Sequence, residues 1–414
     1  NKNFSLGGTI MHLSEMPLTK KVNTGSEPIS NSIWGLNMTW RKESQWLTNV
    51  LDKLPFVNAT QPSSVALNAE FAQLLPGHSS VISSTGLAYL DDFESTKTNI
   101  DIHYPYNWYL ASTPYNPSGL FPEASLSDNV DYGKNRALLA WYFIDPVLNG
   151  ESRYTPKNLR GNVESQSNHF TRQVRETELF PNKDLDPTRS SLLSVLNLSY
   201  YPAERGPYNL DVNGVNPDGT LTNPAERWGG IMRKLETTDF ETANIEYIEF
   251  WMMDPFIYNN GTDKGGDLYF NLGDISEDIL KDGKKFFEHG LPINGETGNT
   301  TTTKWGRIPS TQSTVTAFDN TPGARKYQDV GLNGLSTEDE FKFPTYADYV
   351  QNLRTKLTPA TITSMQADPF SPLNDPAGDD YHFYRGSDYD EKELSILQRY
   401  KRYNGTEGNS PATE

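Results

Sequence analysis

Along residues 1–85 the chain alternates between apolar and polar positions. Phe4 to Leu13 has strand composition, and in Ser32 to Trp40 the side chains of Trp34, Leu36, Met38 and Trp40 share one face. Val65, Leu67, Ala69 and Phe71 alternate in the same way. A period of two marks a strand with one wetted face. That face suits a soluble sheet and a barrel lumen alike, because both use the same alternation. Between these strands Trp46, Leu47, Val50, Leu51 and Leu54 recur at helical spacing, with Ser44 placed to cap the helix and Pro55 to stop it.

Residues 86–300 predict the densest strand region. Leu138 to Ile144 is an apolar run, and further strands are expected at Leu192–Tyr201, Trp228–Leu235, Ile245–Met253 and Asp267–Leu272. In the fourth of these runs Ile245, Tyr247, Trp251 and Met253 point one way and Ile248, Phe250 and Met252 the other. A strand apolar on both faces is expected to be covered on both sides. Ser276–His289 opens like a capped helix, with Ile279 and Leu280 on its buried side and Gly283 weakening its continuation.

Downstream, residues 294–322 read as a long Thr/Asn/Gly/Ser loop and Pro359–Asp380 as a linker. Thr345–Leu357 predicts a helix with a Thr345/Asp348 capping box and a stripe of Tyr346, Tyr349, Val350, Leu353 and Leu357. Glu391–Tyr403 predicts a last helix whose basic end, Arg399 to Arg402, suits the negative pole. The fold class that follows is mainly β: a jelly-roll-like β-sandwich over 86–300, with a loop-rich insertion at about 145–190 and a few short helices. Residues 1–85 hold β-strands and one short helix, and residues 301–414 form a loop-rich C-terminal region with two helices.

Composition narrows the function. The 414 residues include no cysteine, so disulfides, thiolate metal sites and cysteine nucleophiles are excluded. A net charge of −17 opposes phosphate binding and argues against a nucleic-acid partner. Aromatic residues make up 12% of the chain, which supplies material for a core despite a hydrophobic fraction of 35%. No run of about 18 apolar residues is present, which excludes a helical membrane span and leaves a β-barrel open. The chain opens on Asn1 without a signal-peptide pattern, which predicts a mature product or an excised piece.

Among candidate sites, the most specific local match is Asp329–Glu340, laid on a calcium loop of the form D-x-[DN]-x-[DN]-G-x5-E. Asp329 takes the first position, Asn333 the fifth, Gly334 the turn, Leu335 the carbonyl position and Glu340 the terminal carboxylate. Against it stand Gly331, which has no side-chain oxygen where the third ligand belongs, and the lack of a predicted helix before Asp329. An ordinary Gly/Asn turn accounts for the same residues. Asp91, Asp92 and Glu94 form a second acidic group, suited to calcium, to acid/base work or to a solvated strand end. Glu246 and Glu249, three apart in an expected strand, face opposite sides and cannot form a glycosidase pair with each other. The histidines His12, His78, His103, His169, His289 and His382 show no zinc spacing. Neither a nucleophile elbow nor a Gly-rich phosphate loop occurs. Arg205, Arg227 and Arg233 sit beside aromatics, as packing or ion-pair residues do.

Several longer strings carry more information. Tyr200-Tyr201-Pro202-Ala203-Glu204-Arg205-Gly206-Pro207-Tyr208-Asn209, Arg227 to Glu236 and Asn244 to Phe256 are followed by Asp267 to Gly273 and Ile275 to Asp278. Together with Tyr89 to Glu94, Trp108 to Pro114, Asn135 to Trp141, Glu178 to Asn182, Asp329 to Leu332 and Ile396 to Lys401, they resemble the SprA/Sov family of Bacteroidetes. That family is the outer-membrane translocon of the type 9 secretion system and supports gliding motility. Its members are far longer, so the resemblance implies an internal fragment.

The resemblance further implies a very large β-barrel pore through which folded cargo passes, attended by other subunits of the secretion machinery. It implies no catalytic residues and no certain cofactor. Residues 4–13, 32–40 and 63–75 would then be barrel strands or lead-ins to them, and 86–300 a water-exposed module in the cell envelope. Two other classes compete on the residues alone. A carbohydrate-binding or adhesin module would use exposed Tyr and Trp. A glycoside hydrolase would need a carboxylate pair about 5–9 Å apart in a cleft.

Overall fold

A computed structural model describes residues 3–16, 28–58, 61–79, 100–115, 119–182, 185, 188, 190–243, 245–258, 265–284, 291–311 and 318–403. The chain divides into two compact units, Asn1–Thr98 with Glu176–Ser191 and Asn99–Arg175 with Leu192–Glu414. The mainly β character holds, in small antiparallel sheets joined by short helices, and no closed barrel forms among the described residues.

The first unit is built on three long strands, β1 (Phe4–Ser14), β2 (Ser30–Glu43) and β3 (Ser64–Leu75), in the order β1-β2-β3. Each runs where the alternation places it. The pairing proceeds one to one without a bulge, from Phe4 opposite Trp40 to Ser14 opposite Ser30, and from Ser32 opposite Leu75 to Glu43 opposite Ser64. Directly paired residues point to the same side. One face therefore collects Phe4, Leu6, Ile10, Trp34, Leu36, Met38, Trp40, Leu67 and Phe71. The other carries Ser5, Thr9, Asn37, Thr39, Arg41, Asn68 and Glu70, with Met11, Leu13, Ile33 and Leu74 toward one end. Both faces lie largely open: Ile10 on the first is 85% exposed and Met11 on the second 60%. After β2 the expected helix forms as Gln45–Leu51, and the Ser44 side chain accepts from the Leu47 N–H.

The second unit contains β4 (Tyr109–Leu110), β5 (Ala137–Tyr142), β6 (Asn197–Arg205), β7 (Ile231–Met232), β8 (Thr300–Thr302) and β9 (Arg307–Pro309). They form two-stranded pairs, β4 with β7, β5 with β6, and β8 with β9. All six residues of β5 are buried. Its alternation feeds two cores. Trp141 joins Tyr132, Tyr208, Trp305, Tyr346 and Leu353, while Ala140 and Tyr142 join Leu148, Leu159, Ile396, Tyr400 and Tyr403. In the second core the Tyr142 ring stacks on Tyr400 at 4.3 Å, and Tyr384 stacks on Tyr400 at 4.7 Å.

Several expectations need correction, among them the strand at Asp267–Leu272, which is irregular chain. Residues 245–253 form no strand. Tyr247 is 76% exposed and Trp251 70%. Their strand propensity finds no ladder partner among the described residues, and propensity acts through such partners. Residues 276–284 form turns rather than a helix, because Lys281 and Gly283 take positive φ of 57° and 87°; Ile279 and Leu280 are nevertheless buried as expected. Residues 285–289 of that stretch lie outside the described residues. The supposed linker after Pro359 begins with a helix, Pro359–Ala367, whose first turn Thr358 caps by accepting from Thr361 N–H at 3.1 Å. Proline at the first helical position starts a helix as readily as it stops one.

Elsewhere the helix Pro344–Lys356 buries Tyr346, Tyr349, Val350 and Leu353 on the expected stripe, and Leu357 just beyond it. Its capping box is not made, because the Thr345 hydroxyl donates to the Lys304 carbonyl instead. Of the last expected helix, Glu391–Tyr403, only Ile396–Tyr400 forms, with its own Ser395/Gln398 capping box; Glu393 at φ 51° separates it from an unforeseen helix, Ser387–Glu391. The long loop near residue 300 contains the β8–β9 hairpin, which buries Trp305.

Candidate functional site

Three segments of the second unit bring carboxylates together inside the protein. The first is the end of β6 and the turn after it, which carry Arg205 and Tyr208. The second runs from Gly331 to Glu340, and the third from Asp375 to Asp379. Glu340, Asp375 and Asp379 each offer an oxygen within 4.8 Å of the others'. They are 0%, 2% and 2% exposed.

Local chemistry explains each placement. Ser336 caps the short helix Thr337–Glu340 by accepting from Asp339 N–H, and Glu340, at its end, turns inward. The Glu340 carboxylate accepts from Asn333 Nδ2 at 2.7 Å and from the Ala377 N–H at 2.9 Å. Asp375 closes its own turn by accepting from the N–H groups of Gly378, Asp379 and Asp380. Asp379 Oδ2 accepts from the Tyr208 hydroxyl at 2.6 Å, and Asp379 Oδ1 is buried without a hydrogen-bond partner. Arg205 holds the turn through backbone oxygens, donating to the carbonyls of Pro376 at 2.7 Å and Asp375 at 3.1 Å while its guanidinium lies over the Tyr349 ring.

Electrostatics follow from burial. Removal from water, then the Asp375 charge, push the Glu340 carboxyl up to about 8. Burial also raises Asp375, and burial followed by the Glu340 and Asp375 charges lifts Asp379 well above the usual carboxylate range. Burial and the Asp379 charge push the Tyr208 phenol upward, so it remains a donor. Backbone strain gathers here too. Tyr208 takes a φ of 57° and Gly331 a φ of 42°, and a Cβ on Gly331 would run into Asp379 Oδ2.

The residues singled out by the calcium-loop spacing are distributed differently. Asp329 is buried, and its Oδ2 accepts from Arg325 Nε at 2.9 Å. Asn333 Oδ1 accepts from the Leu335 N–H, while its amide nitrogen donates to Glu340 and to the Tyr346 hydroxyl. Leu335 is packed in the core. A short helix does precede Asp329, Arg325–Gln328, contrary to expectation; at four residues it is too short to show a periodic stripe. Of the four, Glu340 alone reaches the carboxylate cluster. Asp375 and Asp379 were not foreseen. Their only local signal is the acidic Gly/Pro turn Asn374-Asp375-Pro376-Ala377-Gly378-Asp379-Asp380, taken for linker.

Other candidates stay apart. Asp91, Asp92, Glu94 and His289 lie outside the described residues. Glu246 and Glu249 are exposed in irregular chain. Arg227 ion-pairs with Asp211 at 3.9 Å, and Arg233 lies over the Trp108 ring at 5.7 Å, as packing residues do.

Residues 348–414 match the SprA_N family model, described as a motility related/secretion protein. The match is confined to this C-terminal stretch, and it supports the resemblance to the SprA/Sov family carried by the strings along the chain. The SprA_N match takes in most of the helix Pro344–Lys356, both aspartates of the cluster and the Ile396–Tyr400 helix. No curated protein matches the chain. Among the described residues no helix is long and apolar enough to cross a membrane.

Proposed function

We propose that this chain is a non-catalytic part of a giant outer-membrane β-barrel, the type 9 secretion pore, which exports folded cargo and supports gliding motility. The observation that carries the reading is the division of the β1–β3 sheet. Strands of 11, 14 and 12 residues reach or exceed the roughly 9–11 needed to cross a bilayer when tilted. Their apolar face bears Trp34, Trp40, Phe4 and Phe71 around Leu6, Leu36 and Met38, and their other face is polar through Ser5, Asn37, Thr39, Asn68 and Glu70, turning apolar only toward Met11, Leu13, Ile33 and Leu74 at one end. Lipid on one side and a water-filled lumen on the other require this arrangement. The partners that follow are secreted cargo proteins and the other outer-membrane subunits of the secretion machinery.

The test is a face-selective substitution in the native cell. Leu36→Arg and Phe71→Arg place a charge on the apolar face, at a cost of about 2–4 kcal/mol near a bilayer midplane. Loss of cargo export with these variants, beside normal export with Asn37→Arg and Asn68→Arg, supports the pore reading. Equal tolerance of both sets would remove it.

A further inference from the structure

We propose that Glu340, Asp375 and Asp379 form a binding site for a single hard divalent cation of calcium size, which ties together the segments that carry them. Buried carboxylates are costly unless paired with positive charge. Among the described residues none of the three makes an ion pair within 4.0 Å; Arg205, the nearby cation, spends its hydrogen bonds on the Asp375 and Pro376 carbonyls. A divalent ion bound between them supplies the positive charge that lets buried carboxylates ionise together.

The second observation is independent of the acidic character. Asp379 Oδ1 is fully buried with no donor near it, although Asp379 Oδ2 and both oxygens of Glu340 and Asp375 have donors. A buried acceptor left without a partner is rare and needs an explanation. A cation bound between the carboxylates supplies it.

Size and ligand type select the ion. Calcium–oxygen distances of about 2.3–2.6 Å allow two oxygens of one ion to stand about 5 Å apart, which accommodates any separation within the 4.8 Å that bounds the cluster. Magnesium, at about 2.0–2.1 Å, holds its oxygens no more than about 4.2 Å apart and demands a near-ideal octahedron, which fixed carboxylates on separate segments meet less readily. Zinc and its neighbours favour nitrogen or sulfur ligands, and the cluster contains neither. The site differs from the calcium loop read from spacing, with which it shares only Glu340. It also stands apart from the pore reading, because it does not depend on the β1–β3 sheet.

The experiment strips the full chain with a chelator, then adds calcium chloride alone at pH 7.5 and follows heat of binding and thermal unfolding. The expected result is one equivalent bound and a rise in Tm of about 5 °C or more at saturation, with a smaller response to magnesium. Asp379→Asn keeps the shape of the side chain and should abolish the calcium-dependent rise. If that variant does not fold, terbium replaces calcium on the wild-type chain: emission excited through Tyr208 and displaced by calcium supports the site. Failure of the stripped wild type to bind calcium overturns the proposal, as does a calcium response retained by Asp379→Asn or a terbium signal that calcium does not displace. A stripped chain that gains stability only on acidification would show that protons, not a cation, hold the cluster.

Discussion

Tyr208 and Asp379, 171 positions apart, meet through a 2.6 Å hydrogen bond in which the phenol donates to the carboxylate, and the same phenol oxygen accepts from the Leu332 N–H at 2.7 Å. One hydroxyl thus satisfies two buried groups on two different segments. Tyr208→Phe removes it while preserving the ring's packing. Each orphaned buried group costs about 1–3 kcal/mol. Urea unfolding should show a loss of about 2 kcal/mol or more with an unchanged slope, and a variant as stable as the wild type would contradict the assigned bond.

Gly331 carries the second prediction. Its φ of 42° and the approach of Asp379 Oδ2 leave no room for a side chain. Gly331→Ala should lower stability by more than about 1 kcal/mol. Gly298→Ala is the matched control, because nothing lies within 4 Å of its Cβ position; it should change stability by no more than about 0.5 kcal/mol. Paired thermal melts of the two variants check this.

Thr358 is a cap whose worth can be measured by itself. Its hydroxyl accepts from the Thr361 N–H at the start of the helix Pro359–Ala367. Thr358→Ala should cost about 1 kcal/mol in chemical unfolding, and Thr358→Asn should recover most of it.

Alkaline pH tests the tyrosine core. Burial raises the Tyr142 phenol to about 12, and burial pushes Tyr384 and Tyr400 higher still. These groups keep their protons in the folded chain after the unfolded chain, with phenols near 10, has lost them. Their contribution to stability is therefore complete below pH about 10 and declines as pH rises toward 12 and beyond. Absorbance at about 295 nm, the tyrosinate band, should show a fraction of the tyrosines silent until the chain unfolds; a full titration centred near pH 10 would show that they are open to solvent.

How much of this was legible depends on the distance over which each feature is decided. The three long strands and the Tyr346–Leu353 stripe follow from a repeat within a few residues, and the structure places both where the repeat does. Thr345 looked like a cap because capping is local, yet its hydroxyl is taken by Lys304, 41 residues away. The acidic cluster is less legible still. Glu340 surfaced through a spacing motif, while Asp375 and Asp379 join it through loop packing that no local period encodes. At Ile245–Met253 the propensity is plain, but a ladder needs neighbours, and sequence alone does not name them.

The β1–β3 sheet has a consequence for assembly. Among the described residues β1 and β3 each pair on one side only, so each offers an open row of backbone donors and acceptors. Because the existing pairing runs without a bulge, another strand laid against either edge continues the same alternation of faces. The sheet is thus a growth front, with its inside and outside already assigned. What adds to it inherits that polarity, and an isolated copy would be prone to recruit strands from its own kind.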